Sequence, residues 1–312
     1  MNMPRMLPSV VFSALLLMQS LFLFAQDSDW DHLMDAGEAA ANQKQFAQAE
    51  TSYRQAVSYA ESHWKKDARI SASLIKLAEV CNTEGKKEEA ENATNRAVAS
   101  LEVALKAHKP RVASDEYQQA ESAAVLLTRA GDLFAANEKF ADAEALYQRV
   151  ISLRENYATE KRPAKPNNED FFRFMAQNLG NAKAKVADAE DKLGSLYLRQ
   201  HRFDQAQQQF ERSLAIREKE FGPDKPPVAQ SLSEIAMCHA LQGKYDLAEP
   251  IYKRVVAILE QSKLADSTEM AIALEDYSLV LRRTGHEAEA APVTEKAREI
   301  RAHLSGASGT TH

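Results

Sequence analysis

Cysteine, glycine and proline are all scarce in this sequence. Cys81 and Cys238 are the two cysteines among 312 residues, and there are ten glycines and ten prolines. The two cysteines lie in separate helical segments, and a disulfide needs Cα atoms within about 7 Å, so we expect two buried free thiols. No stretch alternates apolar and polar residues with β-branched enrichment, which argues against a β-sheet. The chain is instead rich in helix-forming residues such as alanine, glutamate, leucine and lysine, which predicts an all-α fold.

Signatures of common catalytic and ligand sites are also missing from the sequence. It has no phosphate-binding or dinucleotide-binding glycine motif and no zinc-protease histidine motif, and no serine-hydrolase elbow or kinase signature. The eight histidines are dispersed without metal-ligand spacing. The net charge is −6, whereas nucleic-acid binders present a basic surface. We therefore predict no catalytic, cofactor-binding or metal-binding residues, no nucleic-acid partner, and a protein that is not an enzyme.

The first 25 residues follow the order of a secretory signal peptide. Arg5 precedes an apolar run over 10–24, and polar residues follow the small Ala25. The run is shorter than the roughly 20 apolar residues of a membrane-spanning helix. We predict a signal peptide over 1–25 and export to the bacterial periplasm or the extracellular space. Because Leu23 stands where a small residue is usual in a cleavage site, an uncleaved N-terminal membrane anchor is the alternative.

One short pattern recurs six times along the rest of the chain, a four-residue phrase with alanine in its third place. A small residue stands twelve positions before each alanine, and an aromatic residue or threonine stands four positions after it. Small side chains let two antiparallel helices cross closely, and the later residue, one turn on, can pack against the next hairpin. The alanines are Ala49, Ala90, Ala143, Ala206, Ala248 and Ala290, and the earlier small residues are Gly37, Ala78, Gly131, Gly194, Ala236 and Ser278.

These residues resemble the tetratricopeptide repeat, and in particular the 42-residue variety found in kinesin light chains, a spacing that separates Ala206, Ala248 and Ala290. The most specific stretches read RSLAIREKEFGPDKPPVA at 212–229 and QGKYDLAEPIYKR at 242–254. The resemblance implies a right-handed α-solenoid of about six helix-turn-helix repeats. It is specific for the fold and nearly silent on function.

Two connections in the repeat array are longer than this period, and the second of them is rich in proline. Since proline breaks helices, we predict a linker over 158–170. It would separate repeats 1–3, over 30–157, from repeats 4–6, over 171–303. The small polar residues of 304–312 predict a disordered tail.

Four large apolar residues follow the predicted linker at once: Phe171, Phe172, Phe174 and Met175. Apolar residues so close together usually seek a core, and we interpret them as part of a longer first helix that covers the neighbouring hairpin. An exposed docking patch is the alternative.

In the tetratricopeptide family the first helix of each hairpin lines a concave groove. The resemblance therefore implies that nine charged residues of predicted first helices face this groove: Asp31, Glu38, Glu79, Asp132, Asp188, Asp191, Arg199, Arg282 and Arg283. Their order predicts a groove that is acidic at its start and basic at its finish, suited to an extended or helical peptide. Ordinary solubilising charge explains the same residues equally well.

The sequence thus predicts an exported, non-enzymatic scaffold that binds a peptide or partner protein in the concave groove. No membrane association is expected beyond an uncleaved leader. A structural assembly factor or self-associating subunit of an envelope complex is the main alternative, and an enzyme subunit that depends on a partner chain is a weaker one.

Overall fold

The computed structural model describes residues 29–107, 113–158 and 169–307. At 113–116, 157, 169–181 and 306–307 it describes the backbone alone. The predicted signal peptide over 1–25 and most of the predicted linker lie outside these residues. The first helix, α1, covers 29–42. It is followed by α2 (Phe46–His63), α3 (Ala68–Thr83), α4 (Lys87–Ala107), α5 (Ala113–Ala136), α6 (Phe140–Ala158), α7 (Glu169–Arg199), α8 (Phe203–Phe221), α9 (Pro226–Leu241), α10 (Tyr245–Glu260), α11 (Thr268–Arg283) and α12 (Glu287–Ala307).

The described chain is all-α, as predicted, and its helices alternate between first (odd-numbered) and second (even-numbered) members of hairpins. Consecutive helices pack on one another from α2 to α4 and from α6 to α12, most closely in the pairs α3–α4, α7–α8 and α11–α12. Within the ranges given above, none of the helices combines the length and apolarity needed to cross a bilayer.

Each hairpin closes through a turn with one residue in the left-handed backbone region, five positions before the repeated alanine. The N–H of the next residue donates to a carbonyl five residues back, as from Lys86 to Cys81 at 2.8 Å and from His286 to Leu281 at 2.7 Å. This pattern ends a helix without orphaned carbonyls. Glycine, which adopts positive φ without strain, fills only half of these positions: they are Lys44, Gly85, Glu138, His201, Gly243 and Gly285.

The six repeated alanines are completely buried, each with 0% exposure. In the fourth hairpin Gly194 of α7 lies beneath the Phe210 ring of α8, and a Cβ added at Gly194 would come within 2.6 Å of that ring. Gly37 is covered in the same way by Tyr53. These contacts confirm the small-residue crossing that the sequence pattern predicts.

The predicted role of the aromatic residue needs correction. Phe210 and Tyr53 fill the space over the glycine of their own hairpin, because a glycine leaves room there for a ring. Tyr252 also reaches the following hairpin, where its hydroxyl donates to Asp276 of α11 at 3.4 Å.

The described chain forms two compact units, divided within α5. Unit 1 comprises 29–107 and Val125–Lys139, and unit 2 comprises 113–124 and the residues from Phe140 onward. In unit 2, α7 starts at Glu169, just inside the predicted linker, and its 31 residues make it longer than the 16-residue α9 and α11. A longer first helix was expected after the linker.

The C-terminal helix α12 continues to Ala307, four residues beyond the end predicted for the repeats. Residues 304–307 of the predicted disordered tail are therefore helical. Positions 308–312 lie outside the described residues.

Candidate functional site

All nine predicted groove residues lie on first helices. In unit 1 they are Asp31 and Glu38 of α1, Glu79 of α3 and Asp132 of α5, and in unit 2 they are Asp188, Asp191 and Arg199 of α7 with Arg282 and Arg283 of α11. That all nine face one concave groove stays a prediction, and their surroundings differ between the units.

Two of the acidic residues of unit 1 are paired with cations of the same unit. Glu38 lies 3.6 Å from the Lys76 ammonium. Glu79 accepts two hydrogen bonds from the Arg129 guanidinium, one of them from Nε at 2.6 Å. These ion pairs neutralise part of the negative charge that the sequence suggested for the start of the groove.

The acidic residues of unit 2 surround a buried arginine. Arg217 of α8 is only 3% exposed, and its guanidinium donates to Asp188 at 2.8 Å and to Ser231 at 2.6 Å. Asp191 lies 2.6 Å from the same guanidinium, and the Ser213 hydroxyl is 3.0 Å from that of Ser231. A buried cation is tolerated only when it is paired and hydrogen-bonded, and this network meets both conditions.

A second buried carboxyl group, Glu234 of α9, extends the network. Burial, reinforced by the charge of nearby Asp191, raises the pKa of Glu234 to about 8, and burial also raises the pKa of Asp191. Oδ1 of Asp191 and Oε2 of Glu234 are buried without a hydrogen-bond partner. Burial without a donor disfavours a second negative charge beside Asp191, so Glu234 holds a proton near neutral pH.

This network opens into a cavity of about 650 Å³ that lies wholly within unit 2. The first helices α7, α9 and α11 supply most of its lining, and the C-terminal ends of α8 and α10 supply the rest together with Leu264. Its polar lining includes Asp188, Arg217, Gln230, Ser233, Glu234, Glu269 and Asp276, and its apolar lining includes Phe221, Pro226, Pro227, Leu259, Leu264 and Ile272. Of the nine predicted groove residues, Asp188 is the one that lines this cavity.

Exposed apolar side chains continue the cavity along the same helix faces. Residues at intervals of four, seven and eleven share one face of a helix. On α9 that face carries Gln230, Glu234, Met237 and Leu241, and on α11 it carries Ile272, Asp276, Leu279 and Arg283. Met237, Leu241, Ile272 and Leu279 are all exposed, Leu241 by 56%. Each face therefore carries one acidic residue, Glu234 or Asp276, beside two exposed apolar residues.

The predicted basic residues lie at the C-terminal ends of their helices, outside the cavity lining. Arg199 lies over the Phe140 ring at 5.3 Å, and Arg283 over the Tyr245 ring at 5.9 Å. Arg282 donates to the Thr294 hydroxyl at 3.2 Å. The charged residues that line the cavity are thus mainly acidic. That Arg199, Arg282 and Arg283 make the end of the groove basic stays a prediction.

Sequence reasoning missed Arg217 and Glu234. Arg217 lies on the buried stripe of α8 that includes Ala206, Phe210 and Ser213. The sequence could have revealed Arg217 as a charged residue on a helical stripe that otherwise carries no charge. Glu234 carries no such signal, because its burial depends on α7 and α8 lying against it.

One cluster in unit 1 has the composition of a metal site but not its electrostatics. Ligand atoms of Glu50, Cys81 and Glu89 lie within 4.8 Å of one another. Glu50 accepts from the Lys86 ammonium at 2.6 Å, which lowers its pKa, and Arg54 pairs with both glutamates. Burial raises the pKa of the Cys81 thiol, which disfavours the thiolate that a metal requires. The cations Lys86 and Arg54 already neutralise this cluster.

Comparison with known sequence families finds the tetratricopeptide repeat. Two family profiles match, one over residues 185–261 and 228–302 and the other over 33–63. The comparison with curated protein sequences found no match.

Several solved structures have a similar fold. BtubC (BKLC) from P. vanneervenii is 16% identical with a TM-score of 0.59, covering 85% of this chain and 92% of its own. A Podospora anserina kinesin-light-chain candidate with nearly identical TPR-like repeats is 17% identical with a TM-score of 0.54, covering 76% and 97%. A tetratricopeptide repeat protein from Parabacteroides merdae is 16% identical with a TM-score of 0.52, covering 88% and 80%. With its repeated crossings, its turns and these matches, the chain contains tetratricopeptide repeats over 33–63 and 185–302, and it has the fold of solved tetratricopeptide repeat proteins, a kinesin-light-chain candidate among them.

Proposed function

We propose that this protein is a non-enzymatic scaffold that binds a polypeptide segment of a partner protein in the groove of unit 2. By this groove we mean the cavity between α7, α9 and α11 together with the bordering faces of α9 and α11. The observation that carries the proposal is the cavity of about 650 Å³ bounded by α7, α9 and α11. Its volume falls within the range of roughly 300–1,000 Å³ typical of ligand sites. Three first helices side by side offer an extended surface to a segment that lies across them.

The exposed apolar residues on this groove support a protein partner. Met237, Ile272 and Leu279 lie on first-helix faces that border the cavity. Exposed apolar residues that cluster, with polar residues around them, are typical of protein–protein interaction sites. A helical or extended segment would bury them between its own apolar side chains.

The proposal includes export. The leader over 1–25 has the order of a cleavable signal peptide, and we place the repeats in the periplasm or outside the cell, or tethered to the membrane if the leader is retained. N-terminal sequencing of the protein from its native host tests this. A mature terminus near Gln26 is expected, whereas a terminus at Met1 in the cytoplasmic fraction would contradict export.

Site-specific photo-crosslinking tests the groove. A photoreactive residue at Ser233, which lines the cavity, should give a discrete adduct with a partner protein in the native host. The matched control is the same residue at exposed Lys253 of α10, a second helix, where no such adduct is expected.

The same experiment separates the alternatives. An adduct at Ser233 with a second copy of this chain would favour a self-associating subunit, which concentration-dependent size in solution would support. Equal adducts at both positions, or none at Ser233, would contradict the groove as the binding site. If the purified protein turned over a substrate and the Glu234→Gln variant did not, the proposal that the protein is not an enzyme would be contradicted.

A further inference from the structure

We propose that the groove of unit 2 selects a segment that carries arginine or lysine beside apolar side chains, with the cation seated between α7, α9 and α11. This inference rests on the proposed function, because it identifies the chemistry of the segment that the groove binds.

The charges that line the cavity favour a cation. Asp188, Glu234, Glu269 and Asp276 bring four carboxyl groups to one cavity, from three different helices. The one guanidinium of the lining, that of Arg217, is already paired with Asp188 and Asp191. It is therefore not available to an acidic partner. The same pairing neutralises Asp188, so Glu269 and Asp276, joined by Glu234 once it ionises, attract a positive side chain and repel a negative one.

Glu269 and Asp276 provide two of these carboxyl groups along α11. Glu269 stands in the first turn of α11, where hydrogen bonds from its own backbone N–H and from Ser267 lower its pKa. Asp276, two turns further on, is held by the Tyr252 hydroxyl. These interactions fix the positions of both carboxyl groups before any partner binds, which reduces the entropy cost of binding.

The apolar lining accommodates the neighbours of the cation. Phe221 is 40% exposed and Ile272 is 46% exposed, and both lie in the cavity wall. Pro226 and Pro227 lie at the start of α9 and give the wall a rigid apolar edge. Arginine and lysine carry apolar stems that can lie along such surfaces while the charged head reaches a carboxylate.

Glu234 makes this recognition sensitive to protons. It faces Asp188 and Asp191 from α7, Arg217 from α8, and Asp276 and Glu269 across the cavity from α11, with Cys238 one turn along its own helix. A cation seated there favours the ionised carboxylate, so binding releases the proton that Glu234 holds. Binding should therefore strengthen as the pH rises towards and past about 8, where Glu234 ionises without help.

The test uses a fluorescently labelled peptide of alternating leucine and arginine, capped at both ends, with Gln/Leu and Glu/Leu peptides of equal length for comparison. Arginine keeps its charge throughout the range used. Fluorescence anisotropy with the full chain should show binding in the order Arg/Leu, Gln/Leu, Glu/Leu. The affinity for the Arg/Leu peptide should rise about tenfold between about pH 6.5 and about pH 9, which corresponds to about 1.4 kcal/mol.

Three variants locate the effect. In Glu234→Gln the pH dependence should disappear, because an amide replaces the carboxyl that titrates. Asp276→Asn should weaken Arg/Leu binding at all pH values and leave Gln/Leu binding unchanged. Glu295→Gln is the matched control: it removes one exposed charge of α12, a second helix, and should change neither property.

The outcomes separate this inference from the proposed function. If the Gln/Leu peptide binds as tightly as the Arg/Leu peptide, and Ser233 still gives a partner adduct, the groove binds proteins but does not select a cation. If Glu295→Gln weakens binding as much as Asp276→Asn, diffuse surface charge explains the result and the site is wrong. If no peptide binds and Ser233 gives no adduct, the proposed function itself fails.

Discussion

Units 1 and 2 use the same helix crossing but differ in the polar side chains that they bury. Among the described residues, the buried polar side chains of unit 1 are the hydroxyls of Ser71, Ser73 and Thr94, whereas unit 2 also buries Glu190, Asp191 and Arg217. Ser73 and Thr94 donate to carbonyls of their own helices, at 2.8 and 2.7 Å. These hydroxyls bond first within their own helix, and Ser73 in addition accepts a neutral hydrogen bond from the Trp30 indole N–H of α1 at 2.9 Å.

The charged residues of unit 2, in contrast, depend on one another across helices. Arg217 of α8 pairs with Asp188 and Asp191 of α7, and burial together with the charge of Asp191 raises the pKa of Glu234 of α9. Buried ion pairs are weak evidence for added stability, since desolvation offsets their attraction. Their position beside an open cavity supports the binding role that we propose for unit 2.

The largest expected effect comes from breaking this network. Arg217→Ala should lower the free energy of unfolding by about 3–5 kcal/mol, because it leaves Asp191 buried without its counter-ion. Urea unfolding followed by circular dichroism measures the change. In unit 1, Arg96→Ala removes an exposed pair with Glu61 and should cost about 1 kcal/mol or less. Similar losses in both variants would mean that the Arg217 network is not distinctive.

Overpacking the helix crossing should have the next largest effect. Ala206→Trp places a large ring at a fully buried position of α8 and should cost on the order of 1–3 kcal/mol or more. The control is Gln208→Trp, an exposed position of the same helix, which should change stability little. An unchanged melting temperature for Ala206→Trp would contradict the repeat register, and with it the packing that both units share.

The pH dependence of stability should also follow unit 2. The folded pKa of Glu234, about 8, lies above the 4.5 of an ordinary glutamate, so the native state holds a proton that the unfolded state releases. Its contribution to the free energy of unfolding is therefore greatest at low pH and falls as the pH rises from about 5 to about 8, by up to about 3 kcal/mol. Burial raises the pKa of Glu190 to about 7, which adds a change of the same sign.

Urea unfolding across this pH range, repeated in Glu234→Gln, measures that contribution. The variant should lose part of the slope, since its amide has no proton to release. In unit 1, Glu50 acts in the opposite direction: the hydrogen bond from Lys86 lowers its folded pKa, so its contribution is lost on acidification instead. If the dependence of the free energy of unfolding on pH were unchanged in Glu234→Gln, the Glu234 carboxyl would not be the group that holds the proton.

The smallest expected effect concerns the turns, where the two units do not differ. Glu138 of unit 1 has a φ of 64°, and Gly243 of unit 2, at the equivalent position, has a φ of 74°. Glu138→Gly should raise stability by no more than about 1 kcal/mol by relieving left-handed strain. Gly243→Ala should lower it by a similar amount. Thermal unfolding decides this, and a loss of stability in Glu138→Gly would show that its side chain contributes more than its backbone costs.

The candidate site was predicted from the sequence only in outline. The repeat register placed all nine predicted charged residues on first helices, because small residues at a helix crossing recur at a spacing that can be counted. It did not identify the cavity, since only Asp188 of the nine lines it. The other lining residues come from the ends of α8, α9 and α10 as well as from first-helix faces, and no single helical period brings them together.

The sequence by itself determined the all-α repeat, its six crossings and the burial of its alanines, because these depend on local helix propensity and on side-chain size at fixed spacings. It also indicated that Cys81 and Cys238 would be buried and unpaired, as they are. Only the tertiary structure decided the state of Arg217, Asp191 and Glu234. The charge and protonation of these groups depend on desolvation and on partners from three different helices, and neither can be read until the helices are packed.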